Sequence, residues 1–134
     1  MENATQNKIT EYVKEAERQI KAGKGENILP TTTQLRKIFA HINKIQNKAE
    51  FVFRNTEGEG LPTEIANELQ YLKIQAVYQM ARDRDRDRDQ KVKKFFEKIG
   101  LTDRIDNIKT KTEFHEFCKY MEAIIAYQRY YGKK

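Results

Sequence analysis

Apolar residues recur along this chain every three or four positions, and the pattern breaks in four places. All six Gly and both Pro fall at Gly23/Gly25/Pro30, Gly58/Gly60/Pro62, Gly100 and Gly132. Both residue types are unfavourable inside helices, so these places read as joints between helices. Before the first joint, Ile9, Tyr12, Val13, Ala16 and Ile20 line one side of a helix over residues 6–22. Leu35, Ile38, Phe39, Ile42, Ile45, Val52 and Phe53 share a face of a second helix over 33–54. Its start carries Thr31 and Gln34 at capping-box spacing, with Thr33 a further candidate cap.

A third helix is predicted over 62–81, with Pro62 near its first turn, where a missing N–H costs nothing. Ile65, Leu69, Leu72, Ala76 and Met80 make its main stripe. Tyr71, Ile74 and Tyr78 add apolar surface on the far side. A helix apolar nearly all round is central, in the core or against a partner. Val92, Phe95, Phe96 and Ile99 give a fourth helix over 88–99, ended by Gly100, and a short helical turn fits 102–108. Phe114, Phe117, Cys118, Met121, Ile124 and Ile125 give the last, over 111–131, with Thr110 and Glu113 again at capping-box spacing. No segment alternates apolar and polar for long, which leaves strands without support. The fold class is therefore all-α, a compact bundle of five or six helices in a single domain over residues 1–134. Residues 1–5 and 132–134 are expected to fray, and 82–89 to act as a flexible connector. A second helix of about 22 residues would be ~33 Å long, long enough for part of it to pack on another subunit.

Composition narrows the function classes. The 134 residues include a single Cys and two His, too few for an intramolecular disulfide or a Cys-rich zinc site. No apolar run approaches the ~18 residues of a membrane span. MENATQNKIT has no basic stretch followed by an apolar one, so a soluble, cytoplasmic chain without a membrane partner is expected. The net charge is +6, of which residues 1–67 carry +1 and residues 68–134 carry +5. A basic excess directs attention to a polyanion, nucleic acid first.

The charge is ordered on the second helix. Lys37, His41, Lys44 and Lys48 lie at offsets 0, 4, 7 and 11, in one sector roughly opposite Leu35 and Phe39. Such a row suits either a phosphate backbone or plain solvent. Arg36 and Asn43 lie on another flank. Lys73 falls inside the apolar arc of the third helix, where a buried unpaired ammonium is costly. It must snorkel to the rim or meet an anion at an interface. Arg82–Asp89 reads RDRDRDRD, net neutral, a solvated connector or an arm touching RNA. Lys91, Lys93, Lys94 and Lys98 form a basic patch beside Phe95 and Phe96, which continue the core stripe from Val92. The Tyr-rich end (Tyr120, Tyr127, Tyr130, Tyr131) suits packing or subunit contact. His41 and His115 lack metal-ligand spacing, Cys118 sits in an apolar stripe, and no phosphate-cradling Gly-rich loop exists. No enzymatic constellation and no cofactor is expected. The residues alone leave open an RNA-binding module, a helical DNA-binding regulator, and a structural oligomer without nucleic-acid contact.

Three stretches in order, TTTQLRKIF (31–39), ELQYLKIQAVYQMAR (68–82) and FHEFCKYMEAIIAYQRYYG (114–132), resemble the small all-helical subunit of the type III-A CRISPR (Csm) effector complex. The resemblance covers residues 5–134; the RDRDRDRD run and the 54–62 loop depart from it. It implies a non-catalytic subunit that stacks in several copies, as a filament, beside backbone subunits and a large subunit. Together they would line the channel where target RNA pairs with guide RNA, in antiviral defence. Cutting would belong to the backbone and large subunits. The resemblance marks Arg36, Lys37, Lys73 and Arg82 as RNA-facing; Lys44, Lys48 and Lys119 follow from charge alone. Self-association of the isolated chain, through exchange of a long helix, is also expected.

Overall fold

The computed structural model describes residues 4–86 and 88–132, with side chains described from Ile9 onward except 83–87. Six helices follow one another: α1 Ala4–Gly25, α2 Thr32–Arg54, α3 Thr63–Arg86, α4 Lys91–Lys98, α5 Leu101–Asp106 and α6 Lys111–Tyr131. Among the described residues the only β pairing is an isolated antiparallel bridge between Gly60 and Thr110. Among the described residues no helix is long and apolar enough to cross a membrane.

Both predicted capping boxes form. Thr31 accepts from the Gln34 backbone N–H at 3.2 Å while the Gln34 side chain accepts from the Thr31 N–H at 2.9 Å. Thr110 and Glu113 repeat the arrangement at α6. Each box satisfies two N–H groups that a helix start otherwise leaves open. Gly100 sits at φ +64°, a left-handed conformation that favours Gly, and turns the chain from α4 into α5.

Two boundaries differ from expectation. Gly23 and Gly25 read as a joint, yet α1 runs through both. Gly23 is buried, and a Cβ there would lie 3.2 Å from the Phe95 ring, so glycine serves close helix packing rather than a turn. α3 continues to Arg86, so its backbone takes in the first half of the Arg–Asp run. Of the segments expected to fray or flex, 1–3, Asp87 and 133–134 lie outside the described residues. Ala4 and Thr5 begin α1, and Gly132 caps α6 through its N–H to the Gln128 carbonyl.

α1 and α6 lie side by side and run the same way, as Tyr12 meets Tyr120 edge-on and Glu17 accepts from the Tyr131 hydroxyl. α2 runs antiparallel to α6, fixed at its ends. Phe53 packs edge-on against Phe114, and buried Gln128 donates to the Pro30 carbonyl and accepts from Thr32. α2 is also antiparallel to α3, because Gln79 reaches the Gln34 carbonyl at one end and Lys48 reaches Glu68 at the other. α4 and α5 close the open side of α3. Phe95, Phe96, Phe114 and Tyr120 are the largest fully buried side chains. The two adjacent Phe residues of α4 are thus core, as their stripe indicated. Arg104 lies over the Tyr120 ring, 3.8 Å from its centroid, and pairs with Glu15. Burial pushes the Tyr120 hydroxyl up to about 12.

Candidate nucleic-acid interface

The antiparallel pairing of α2 and α3 builds a groove. Its α2 wall carries Lys37, His41 and Lys44; its α3 wall carries Tyr71, Gln75, Tyr78, Gln79 and Arg82. The buried stripes of both helices point mostly into the bundle, through Leu35, Ile38 and Ile42 on α2 and Ile65, Leu69 and Ala76 on α3, while Ile45 and Leu72 reach the floor of the groove. What remains outward along the seam is the polar row of α2 and the second apolar face of α3. Buried Gln79, donating to the Gln34 carbonyl at 2.8 Å, holds the two walls in register.

The groove contains two neighbouring hollows. One, of about 260 Å³, is lined by Lys37, His41, Gln75, Tyr78, Gln79 and Arg82. The other, of about 290 Å³, is lined by His41, Lys44, Ile45, Glu68, Tyr71, Leu72 and Gln75. Lys37 and Lys44 are exposed and form no ion pair among the described residues, although Glu68, held by Lys48, lines the same hollow as Lys44. Three of the seven candidate RNA-facing residues, Lys37, Lys44 and Arg82, therefore converge.

The other four do not. Arg36 is exposed on α2, about 100° round the helix from Lys37, and does not line the groove. Lys48 continues the row but is held by Glu68 at 2.8 Å and Glu64 at 3.1 Å, which raise its pKa above the usual lysine value. A lysine between two carboxylates presents a net negative site and does not attract phosphate. Lys73 leaves the opposite flank of α3, reaches the partly exposed rim and meets an anion there. That anion is internal: the Asp106 carboxyl accepts from Lys73 at 2.7 Å and from Gln70 at 3.2 Å. Lys119 stands on α6 with Glu122 at 3.7 Å.

The Lys73–Asp106 contact has a titration signature. Hydrogen bonds from Lys73 and then Gln70 hold the Asp106 carboxyl below 3.8, the ordinary aspartate value. A depressed carboxyl contributes stability above its unfolded pKa and loses it as pH falls through the folded one. NMR titration of Asp106 is expected to show a midpoint below 3.8 that moves back toward it in Lys73→Ala. An unshifted midpoint in the unmutated chain contradicts the pairing.

Of the two places expected for the second apolar face of α3, core or partner, the core is excluded: Tyr71, Ile74 and Tyr78 are 57%, 61% and 64% exposed. That the tyrosines stand beside the α2 lysines was not anticipated. The available signal was their i, i+3, i+7 spacing opposite the main stripe, beside the α2 lysines. Ile74, Val77, Tyr78 and Ala81, with Gln70 and Lys73, also line an open apolar hollow of about 550 Å³ on the outer side of α3.

Among the described residues no three His, Cys, Asp or Glu side chains gather as a metal would require. The Cys118 thiol is buried and pushed up to about 12, leaving no thiolate at neutral pH.

Comparison with known proteins points in one direction. A family model described as Csm2 Type III-A matches residues 6–134. The chain is 34% identical over 127 residues to the CRISPR system Cms protein Csm2 of Streptococcus thermophilus, covering 92% of this chain and 93% of that one. It is 31% identical over 104 residues to the corresponding Enterococcus italicus protein, covering 75% and 67%. The Mycobacterium tuberculosis protein of that name is 30% identical over 126 residues, covering 92% and 94%.

Proposed function

Because the chain belongs to the Csm2 Type III-A family, the small subunits of the type III-A CRISPR (Csm) complex, we propose that it is a non-catalytic RNA-binding module. In this reading several copies stack along the effector, in the cytoplasm, and line the channel where target RNA pairs with guide RNA. Backbone subunits and the large subunit would be its neighbours.

The observation that carries the reading is the convergence of Lys37, Lys44 and Arg82, from two helices, on one groove. Lysines along a helix edge track phosphates without reading sequence, which suits a subunit obliged to accept any target. The exposed apolar face of α3, with Ile74 and Val77, offers a surface for stacking against another copy in a heterologous contact.

Binding of the isolated protein to two unrelated single-stranded RNAs, followed over salt concentration, tests this. Equal, weak affinities are expected. Three phosphate contacts at ~0.7 each predict a log–log salt slope of about −2. Purification of the tagged chain from its host is expected to bring guide RNA and other Csm subunits with it. Absence of RNA binding at ~50 mM salt, or binding confined to one sequence, contradicts the reading.

A further inference from the structure

The groove has an internal repeat that phosphate binding does not require. Along α2, Lys37 and Lys44 are seven residues apart; along α3, Tyr71 and Tyr78 are seven residues apart. Because the helices are antiparallel, Lys37 falls opposite Tyr78 and Lys44 opposite Tyr71, one pair in each hollow. His41 and Gln75 stand between and line both. Seven residues correspond to about 10.5 Å along each axis. Each hollow thus holds one exposed ring and one ammonium without an ion-pair partner among the described residues; Arg82 joins the first, and Glu68, already paired with Lys48, lines the second. Neither tyrosine hydroxyl has a partner among the described residues, and both rings stand largely in solvent.

We propose that the groove takes single-stranded RNA with its bases unstacked, one base against Tyr71 and another against Tyr78, while Lys44 and Lys37 with Arg82 meet the adjoining phosphates. This rests on the RNA-binding reading above and goes further, to the form of RNA bound: a stretch of strand that is not paired with guide while it occupies the groove. A base stacked on both of its neighbours has no free face to offer a ring, so the strand must be unstacked at each tyrosine. A strand drawn out over the groove reaches both rings. Base-on-tyrosine stacking tolerates any sequence, because every base has a π face. Gln75, between the rings, supplies amide groups to a base edge or ribose. The α3 face could instead dock a protein. The lysines favour RNA: they match the tyrosines in spacing, and their charge complements phosphate.

The test compares, by fluorescence anisotropy at low salt, a short oligouridine with an abasic strand of equal length and charge, using the full chain. The unmutated protein is expected to hold oligouridine about tenfold or more tighter than the abasic strand. Tyr71→Ala/Tyr78→Ala is expected to abolish that preference and keep abasic binding. Tyr71→Phe/Tyr78→Phe is expected to retain the preference, since the ring is preserved. Both positions are exposed, so the variants fold. Equal binding of both strands by the unmutated chain overturns the stacking and leaves the phosphate-binding role standing. Binding of neither overturns both. An alanine pair that alters self-association and leaves the oligouridine preference intact assigns the tyrosines to protein contact and overturns the proposal.

Discussion

Phe95→Ala is expected to lower stability by about 3–5 kcal/mol, with a fall in melting temperature of roughly 10–20 °C. Phe95 is fully buried in α4, and its ring lies against Gly23 of α1. The eight-residue helix α4 has few ways to stay in place. Isolated helices this short are marginal in water, so packing holds it there. Removing the ring costs its transfer free energy and leaves a cavity, because α1 and α3 are anchored elsewhere and cannot close over it. Out of a typical total of ~5–15 kcal/mol, this is a large fraction. Thermal and urea unfolding followed by circular dichroism measure it. A loss below ~1 kcal/mol would show that Phe95 is not core, and would reopen a base-stacking role for the Phe95–Phe96 pair.

The same residue shows where sequence reading succeeds and where it stops. Val92, Phe95, Phe96 and Ile99 announce a buried stripe through their spacing alone, and the structure buries all four. Helix starts were equally legible, because Thr31–Gln34 and Thr110–Glu113 carry their own hydrogen-bond partners within one turn. Gly23 was misread because its function lies in a residue 72 positions away, and the local sequence offers only its low helix propensity. The candidate site divides along the same line. The Lys37–Lys44 row is a property of one helix and was visible. That Lys48 and Lys73 are neutralised was not, since their carboxylates come from 20 and 33 residues further on. The tyrosines of α3 were seen as apolar and assigned to core or partner, and the chain alone excludes only the core, because a helical wheel cannot distinguish a face inside the bundle from one at its surface.

Those neutralised lysines make the proposed RNA-binding groove divisible by mutation. Lys37→Glu/Lys44→Glu is expected to weaken RNA binding by at least about tenfold at low salt, uniformly across sequences, and to reduce the salt slope by about 1.4. Both side chains are exposed and unpaired among the described residues, so stability should change little. Lys73→Glu is expected to behave in the opposite way. It sets a carboxylate against Asp106, 2.7 Å from the present ammonium, and disturbs the α3–α5 contact while leaving the groove intact. Lys48→Glu gathers three carboxylates with Glu64 and Glu68 and likewise acts on stability first. The informative comparison is therefore between pairs: the groove pair should lose RNA and keep its melting temperature, whereas Lys48→Glu or Lys73→Glu should lose stability before RNA. If Lys73→Glu abolishes binding at full stability and the groove pair binds normally, the RNA path runs over the outer face of α3. The groove assignment then fails, because the two flanks of α3 point in different directions and one strand of a few nucleotides cannot occupy both.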